Sequence, residues 1–170
     1  AEHVTVDPAD EYEFRPGLAG FDRLNRYAII PESDSPVEWL QSLEEPEVAF
    51  ATIEPFLFYP EYAFELTDRD CEDLGLRTPQ TAMVRCLLTL SPVVEQITAN
   101  LLAPVVLNRE TRKGRQIVLP DSNLSMRFQI FQTLHLPLSA SHKTCRAGKP
   151  APPLPEGPAR AGSGRRPLCS

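Results

Sequence analysis

The chain is predicted to be all-β: a small antiparallel, nearly closed β-barrel with one short helix and a disordered C-terminal tail. Three observations lead there. Seven short stretches are apolar or alternate with the two-residue period of a half-buried strand. Turn residues separate them at roughly ten-residue spacing, as in sandwiches and small barrels. Only one stretch carries helix start and stop signals, and no longer 3.6-residue apolar stripe is present.

RYAII (26–30) is the first strand candidate, and VAFATI (48–53), apolar on both faces, suits a central position. EYAFEL (61–66) sets Tyr62, Phe64 and Leu66 on one face and Glu61 and Glu65 on the other. AMVRCLLTL (82–90) aligns Val84, Cys86, Leu88 and Leu90, and MRFQIF (126–131) aligns Met126, Phe128 and Ile130. APVVL (103–107) and RQIVL (115–119) are joined through TRKGRQ, where Gly114 is expected to take the left-handed conformation of a turn or bulge. The helix begins after Thr67. That residue can cap it, with Asp70 three positions on as a capping-box partner and Gly75 as the stop. Gly17 and Gly20 are expected to take φ values that other residues avoid. Asn100 and Asn108 bracket the APVVL strand, and Asn100 is expected to bond local backbone or turn left-handed. Trp39, Phe50, Tyr62, Phe64, Val84, Leu88, Val105 and Val118 are expected to be largely buried.

Proline and charge divide the chain at about residue 138. Residues 139–170 hold six Pro and four Gly and no aromatic residue. Such a segment buries too little apolar area to offset its ordering entropy, so 1–138 is read as the β domain and 139–170 as a disordered basic tail. The whole chain carries −6 and the tail +5, which leaves −11 on residues 1–138. A body of that charge repels nucleic acid and attracts a basic partner. The longest apolar run, LLAPVVL (101–107), is far shorter than the ~20 residues of a membrane helix. Residues 1–14 are too acidic for a signal peptide, and the missing initiator Met suggests a start inside a longer sequence.

No reactive constellation emerges. The four cysteines form no CxxC pair, and the three histidines show no metal-ligand spacing. GLAGF (17–21) lacks the Lys-Ser/Thr of a P-loop. Cys86 lies on an apolar strand face, as an inert thiol does, and Cys71 at a helix start is opposed by neighbouring carboxylates. Neither an enzyme, a metal nor a cofactor is expected. The densest acidic stretch, Glu61, Glu65, Asp68, Asp70, Glu72 and Asp73, with only Arg69 opposing it, is the candidate partner-binding surface. Trp39 joins it as a possible interface anchor, as do Asn100 and Asn108. The alternative is an RNA- or anion-binding small barrel that uses Arg109, Arg112, Lys113, Arg115 and the tail. An enzyme built on Cys71 or the carboxylates ranks last.

Four ordered motifs resemble the flagellar assembly factor FliW family of bacteria. EFRPGLAGF (13–21) is similar to its F-x-x-G-L-x-G-F opening, and SPVEWLQS (35–42) to S-P-F-x-x-L-Q-S, with Val37 in place of Phe. AFATIEPFLFYPEY (49–62) resembles A-F-x-V-x-D-P and an aromatic-acidic run, with Glu54 for Asp. TANLLAPVVLNRETRKGRQIVL (98–119) is close to T-x-N-L-x-A-P-I-V-x-N … G-x-Q-V-I-L. The resemblance covers about 13–131. The family opens with another strand before residue 1, so the first hairpin is expected to be incomplete. The resemblance implies a cytoplasmic, monomeric binding protein without covalent chemistry. It implies two partners, flagellin and CsrA, a dimeric RNA-binding repressor of flagellin translation. Free protein would titrate CsrA from its mRNA, and accumulated flagellin would reverse this.

Overall fold

The computed structural model describes residues 5–120 and 122–131, and the backbone of Arg165–Cys169. Seven strands close into a ring. They are β1 (Glu11–Phe14), β2 (Arg26–Pro31), β3 (Val37–Ser42), β4 (Ala49–Ile53), β6 (Ala82–Thr89), β8 (Val105–Asn108) and β9 (Lys113–Gln116). Around the ring the order is β6-β4-β3-β2-β1-β9-β8, and β8 pairs back onto β6. Every pair is antiparallel except β1–β9, which is parallel, with Phe14 opposite Gly114. β7 (Thr98–Ala99) extends β6, and β10 (Phe128–Gln129) extends β7. Outside the ring lie β5 (Ala63–Thr67), helix α1 (Asp68–Leu74) and β11 (Arg165–Cys169).

Strand alternation divides the apolar residues into two cores. One face of the ring strands fills the lumen with Tyr12, Phe14, Tyr27, Leu40, Val105 and Leu107. Phe14 and Tyr27 meet edge to face at 5.1 Å, a geometry that suits two aromatic quadrupoles. The pair Arg85–Glu38, at 2.6 Å and only partly exposed, also spans the ring interior from β6 to β3. The opposite face of β4, β6 and β8 supplies Ile53, Val84, Cys86 and Val106 to a second core. Tyr62, Phe64, Leu66, Cys71 and Leu74 cover it from outside.

Closure depends on a missing side chain. A Cβ on Gly114 would stand 2.4 Å from the Phe14 ring and 2.8 Å from Leu107. Gly114 is therefore required for close packing at the seam. It does not take the left-handed turn conformation expected of it; that falls to Arg112, at φ 57°. Gly20 is left-handed at φ 83°, whereas Gly17 is needed for space, since a Cβ there would meet the Phe21 and Leu24 carbonyl oxygens. Gln116 locks the seam further: its Oε1 accepts from the Ala19 amide at 3.0 Å and its Nε2 donates to the Ala103 carbonyl.

The all-β reading with one short helix holds, and the ring is fully closed. Two of its strands, β1 and β3, are absent from the sequence expectation, whereas 61–66 and 126–131 contribute strands outside the ring. Tyr62, Phe64, Val84 and Val105 are buried as expected, but Trp39, Phe50 and Leu88 are half-buried. Val118 is exposed. The reason is register: β9 ends at Gln116, and Ile117 and Leu119 turn toward the second core while their amides bond the Pro104 and Leu102 carbonyls. Val118 between them faces water. Leu90 and Met126 are exposed too, because each lies beyond the end of its ladder. Of the tail expected to be disordered, 139–164 and residue 170 lie outside the described residues. The backbone of residues 165–169 pairs with β5.

Candidate partner-binding surface

The acidic stretch is presented by β5 and α1, and the local sequence explains its form. Phe64 and Leu66 point into the second core, so alternation turns Glu65 outward, and Glu61 is exposed just before the strand. Thr67 then caps α1. Its Oγ1 accepts from the Asp70 amide at 3.1 Å, and the Asp70 carboxylate accepts from the Thr67 amide at 3.2 Å, the expected capping box. Gly75, at φ 66°, ends the helix, with its amide donating to the Glu72 carbonyl.

The β8–β9 hairpin holds this helix in place. Asn108, 1% exposed, donates from Nδ2 to the Leu74 carbonyl at 2.9 Å and accepts at Oδ1 from the Glu110 amide. The Thr111 hydroxyl donates to the same Leu74 carbonyl at 2.7 Å. Arg115 on β9 pairs with Asp73 and stands 3.7 Å from Asp70. These ties correct two expectations. Asn108 is a buried structural residue and offers no surface to a partner. Arg69 is not the sole opposing charge, because Arg115 reaches across from β9. Asp70 is thus held by the cap and Arg115, and Asp73 by Arg115 and, at 3.9 Å, by Arg69. The outward charge is carried by Glu61, Glu65 and Glu72, with Asp68 exposed beside them.

The other sequence candidates lie elsewhere. Asn100 organises the loop before β8, its Oδ1 accepting from the Leu102 and Ala103 amides at 3.1 Å, as expected. Trp39 is half-buried on the outer face of β3, between Ile30 of β2 and Ala51 of β4. The basic run does not form one face. Arg115 is engaged by α1, Arg112 lies 5.6 Å over the Tyr12 ring, and Arg109 turns to the Met83 sulfur. Sequence reasoning missed a mixed-charge cleft of about 610 Å3 at the β1–β9 seam, where Arg15, Arg69, Lys113 and Arg115 face Glu13 and Asp73. The parallel pairing, invisible in sequence, brings Glu13 and Arg15 beside Lys113 and Arg115, and the tie of α1 to the hairpin adds Arg69 and Asp73.

Both described cysteines are buried. Burial pushes the Cys86 thiol up to about 12, and burial also raises the Tyr62 phenol, whose hydroxyl donates to the Leu101 carbonyl at 2.7 Å. Such a thiol is a poor nucleophile at neutral pH. Among the described residues no three His, Cys, Asp or Glu side chains gather as metal ligands, and no helix is long and apolar enough to cross a membrane.

Comparison with known proteins agrees with this architecture. Residues 1–130 match the family model described as FliW protein. The flagellar assembly factor FliW of Caldicellulosiruptor saccharolyticus is 35% identical over 122 residues, 72% of this chain and 80% of that protein. The one from Bdellovibrio bacteriovorus is 40% identical over 132 residues, 77% of this chain and 75% of that protein. A crystal structure of the flagellar assembly factor FliW superposes with a TM-score of 0.71 at 29% identity. It covers 75% of this chain and 89% of that one.

Proposed function

The chain belongs to the FliW family, and from that premise we propose that it is a flagellar assembly factor that works by binding alone, with flagellin and CsrA as alternative partners in the cytoplasm. Free protein would draw CsrA from flagellin mRNA and relieve repression; flagellin, once accumulated, would occupy the protein and release CsrA. The observation that carries this reading is the set of exposed carboxylates of Glu61, Glu65 and Glu72 on a strand and helix held by the capping box, Asn108, Thr111 and Arg115. An exposed acidic face on a body of −11 suits a repressor that must itself be basic to bind RNA. Trp39 is the proposed apolar anchor for flagellin, on a different face of the ring.

The test uses purified CsrA and flagellin. Glu61→Gln, Glu65→Gln and Glu72→Gln together should slow association with CsrA several-fold at low salt and matter little at high salt, because surface steering is screened within about 10 Å at 0.1 M. Trp39→Ala should weaken flagellin binding and leave CsrA association unchanged. Failure of the unmodified chain to bind either protein would end this reading.

A further inference from the structure

β5 is an extended strand outside the hydrogen-bonded ring. Among the described residues, its one ladder partner is β11. Its position is held through side chains: Phe64 and Leu66 anchor it in the second core, and α1 continues from its end. A flat strand with open edge amides is a template for another strand. The chain itself supplies one. Arg165–Cys169 runs antiparallel to β5 over five residues, from Arg165 opposite Thr67 to Cys169 opposite Ala63.

We propose that the edge of β5 is a strand-addition site for an extended, arginine-bearing peptide, and that the C-terminal Arg165–Cys169 segment is its occupant within the chain. The proposal goes beyond the partner exchange described above and does not depend on it. Register supports it. Pro167, which has no amide to donate, sits opposite Glu65, and a proline is tolerated in a ladder only where its nitrogen faces away from the neighbouring strand. Arg166 and Leu168, opposite Leu66 and Phe64, then hold the donor positions. Charge supports it as well. Register sets Arg165 opposite Thr67, among the β5 positions that alternate with core-facing Phe64 and Leu66 as Glu65 does, and Asp68 follows directly in the chain. Main-chain bonds would give such a peptide its affinity, and the carboxylates would select for its cationic residues. Tethering holds the segment at an effective concentration on the order of mM, so a competing peptide must bind tightly or arrive in excess.

The full chain provides the test. In Ala63→Cys, mild oxidation should join position 63 to Cys169, read by peptide mass mapping. Thr67→Cys, displaced from Cys169 by about 13 Å along the strand, should not link to it. Separately, hydrogen exchange at the Phe64 and Leu66 amides should quicken at least tenfold in Arg166→Pro/Leu168→Pro, with the β2–β3 amides unchanged as the control for folding. A synthetic peptide of residues 163–170 with Cys169→Ser, at about 1 mM, should restore protection in that variant. It should bind the unmodified chain at least tenfold more weakly. Equal crosslinking from positions 63 and 67, or unchanged exchange at Phe64 and Leu66, would overturn the in-chain occupant. Failure of the peptide to restore protection would overturn the site.

Discussion

The ring and the β5–α1 flank are built on opposite principles. Each ring strand is hydrogen-bonded on both edges, and the lumen is packed with large side chains. β5 and α1 have no ladder to the ring. They are tied to it by Phe64, Leu66, Cys71 and Leu74 in the second core and by polar contacts from Tyr62, Asn108, Thr111 and Arg115. A region tied only through side chains can open without breaking the backbone closure. The charged surface proposed to meet a partner therefore sits on the part of the molecule that can move at least cost, while the ring supplies a fixed base.

The sharpest way to break the contrast is through the lumen. Phe14 is fully buried, packs on Tyr27 and fills the space left by Gly114. Phe14→Ala should cost about 3–5 kcal/mol. Chemical denaturation should show the flank lost no later than the ring, since the flank rests on the ring. A flank that outlasts the ring would contradict this.

Alkaline pH attacks both regions at once. Burial pushes Tyr27 in the lumen, with help from Glu44 and Glu45, and Cys86 in the second core up to about 12 from ordinary values of 10.0 and 9.0. Both groups are therefore neutral in the folded state where the unfolded chain has already lost its protons. Stability is fully present below pH 9 and falls as pH rises from there toward 12. Urea midpoints measured from pH 8 to 11 should decline above pH 9. Cys86→Ala should reduce the slope while lowering stability at pH 8 through the cavity it leaves.

Asn108→Ala isolates the flank. It removes the donor to the Leu74 carbonyl and the acceptor for the Glu110 amide, both at a buried position. The expected loss is about 1–3 kcal/mol. Hydrogen exchange should rise most in α1 and the β8–β9 turn and least in β2–β3. A uniform rise would mean that flank and ring are one cooperative unit.

These contrasts also explain what could be read in advance. The helix was legible to its caps because Thr67, Asp70 and Gly75 act locally. Alternation at Tyr62, Phe64 and Leu66 was legible for the same reason. β1 and β3 were not: β1 alternates over only four residues, and β3 carries Glu38 on the face that lines the ring, where Arg85 from a strand far along the chain meets it. The role of Gly114 was misjudged because its constraint comes from Phe14, a hundred residues earlier in the chain and adjacent only through the parallel seam. The acidic surface was legible as composition. Its division into compensated and outward carboxylates was not, because Arg115 belongs to another element.

The smallest expected effect separates charge from fold within the flank. Glu61, Glu65 and Glu72 are exposed and carry no described tie to the ring, so their replacement by Gln should change stability by less than about 0.5 kcal/mol. Asp70→Asn is the matched comparison. It removes one negative charge where the three-residue variant removes three, but that carboxylate accepts from the Thr67 amide and hydroxyl and faces Arg115. An amide side chain can still accept one of those bonds, so the expected cost is about 1 kcal/mol, within the range for a weakened cap. Thermal unfolding of the two variants at equal salt should therefore rank opposite to the number of charges removed. If the three-residue variant lost as much as Asp70→Asn, the outward glutamates would be part of what holds the flank down. Their loss in a binding assay would then report folding and not recognition.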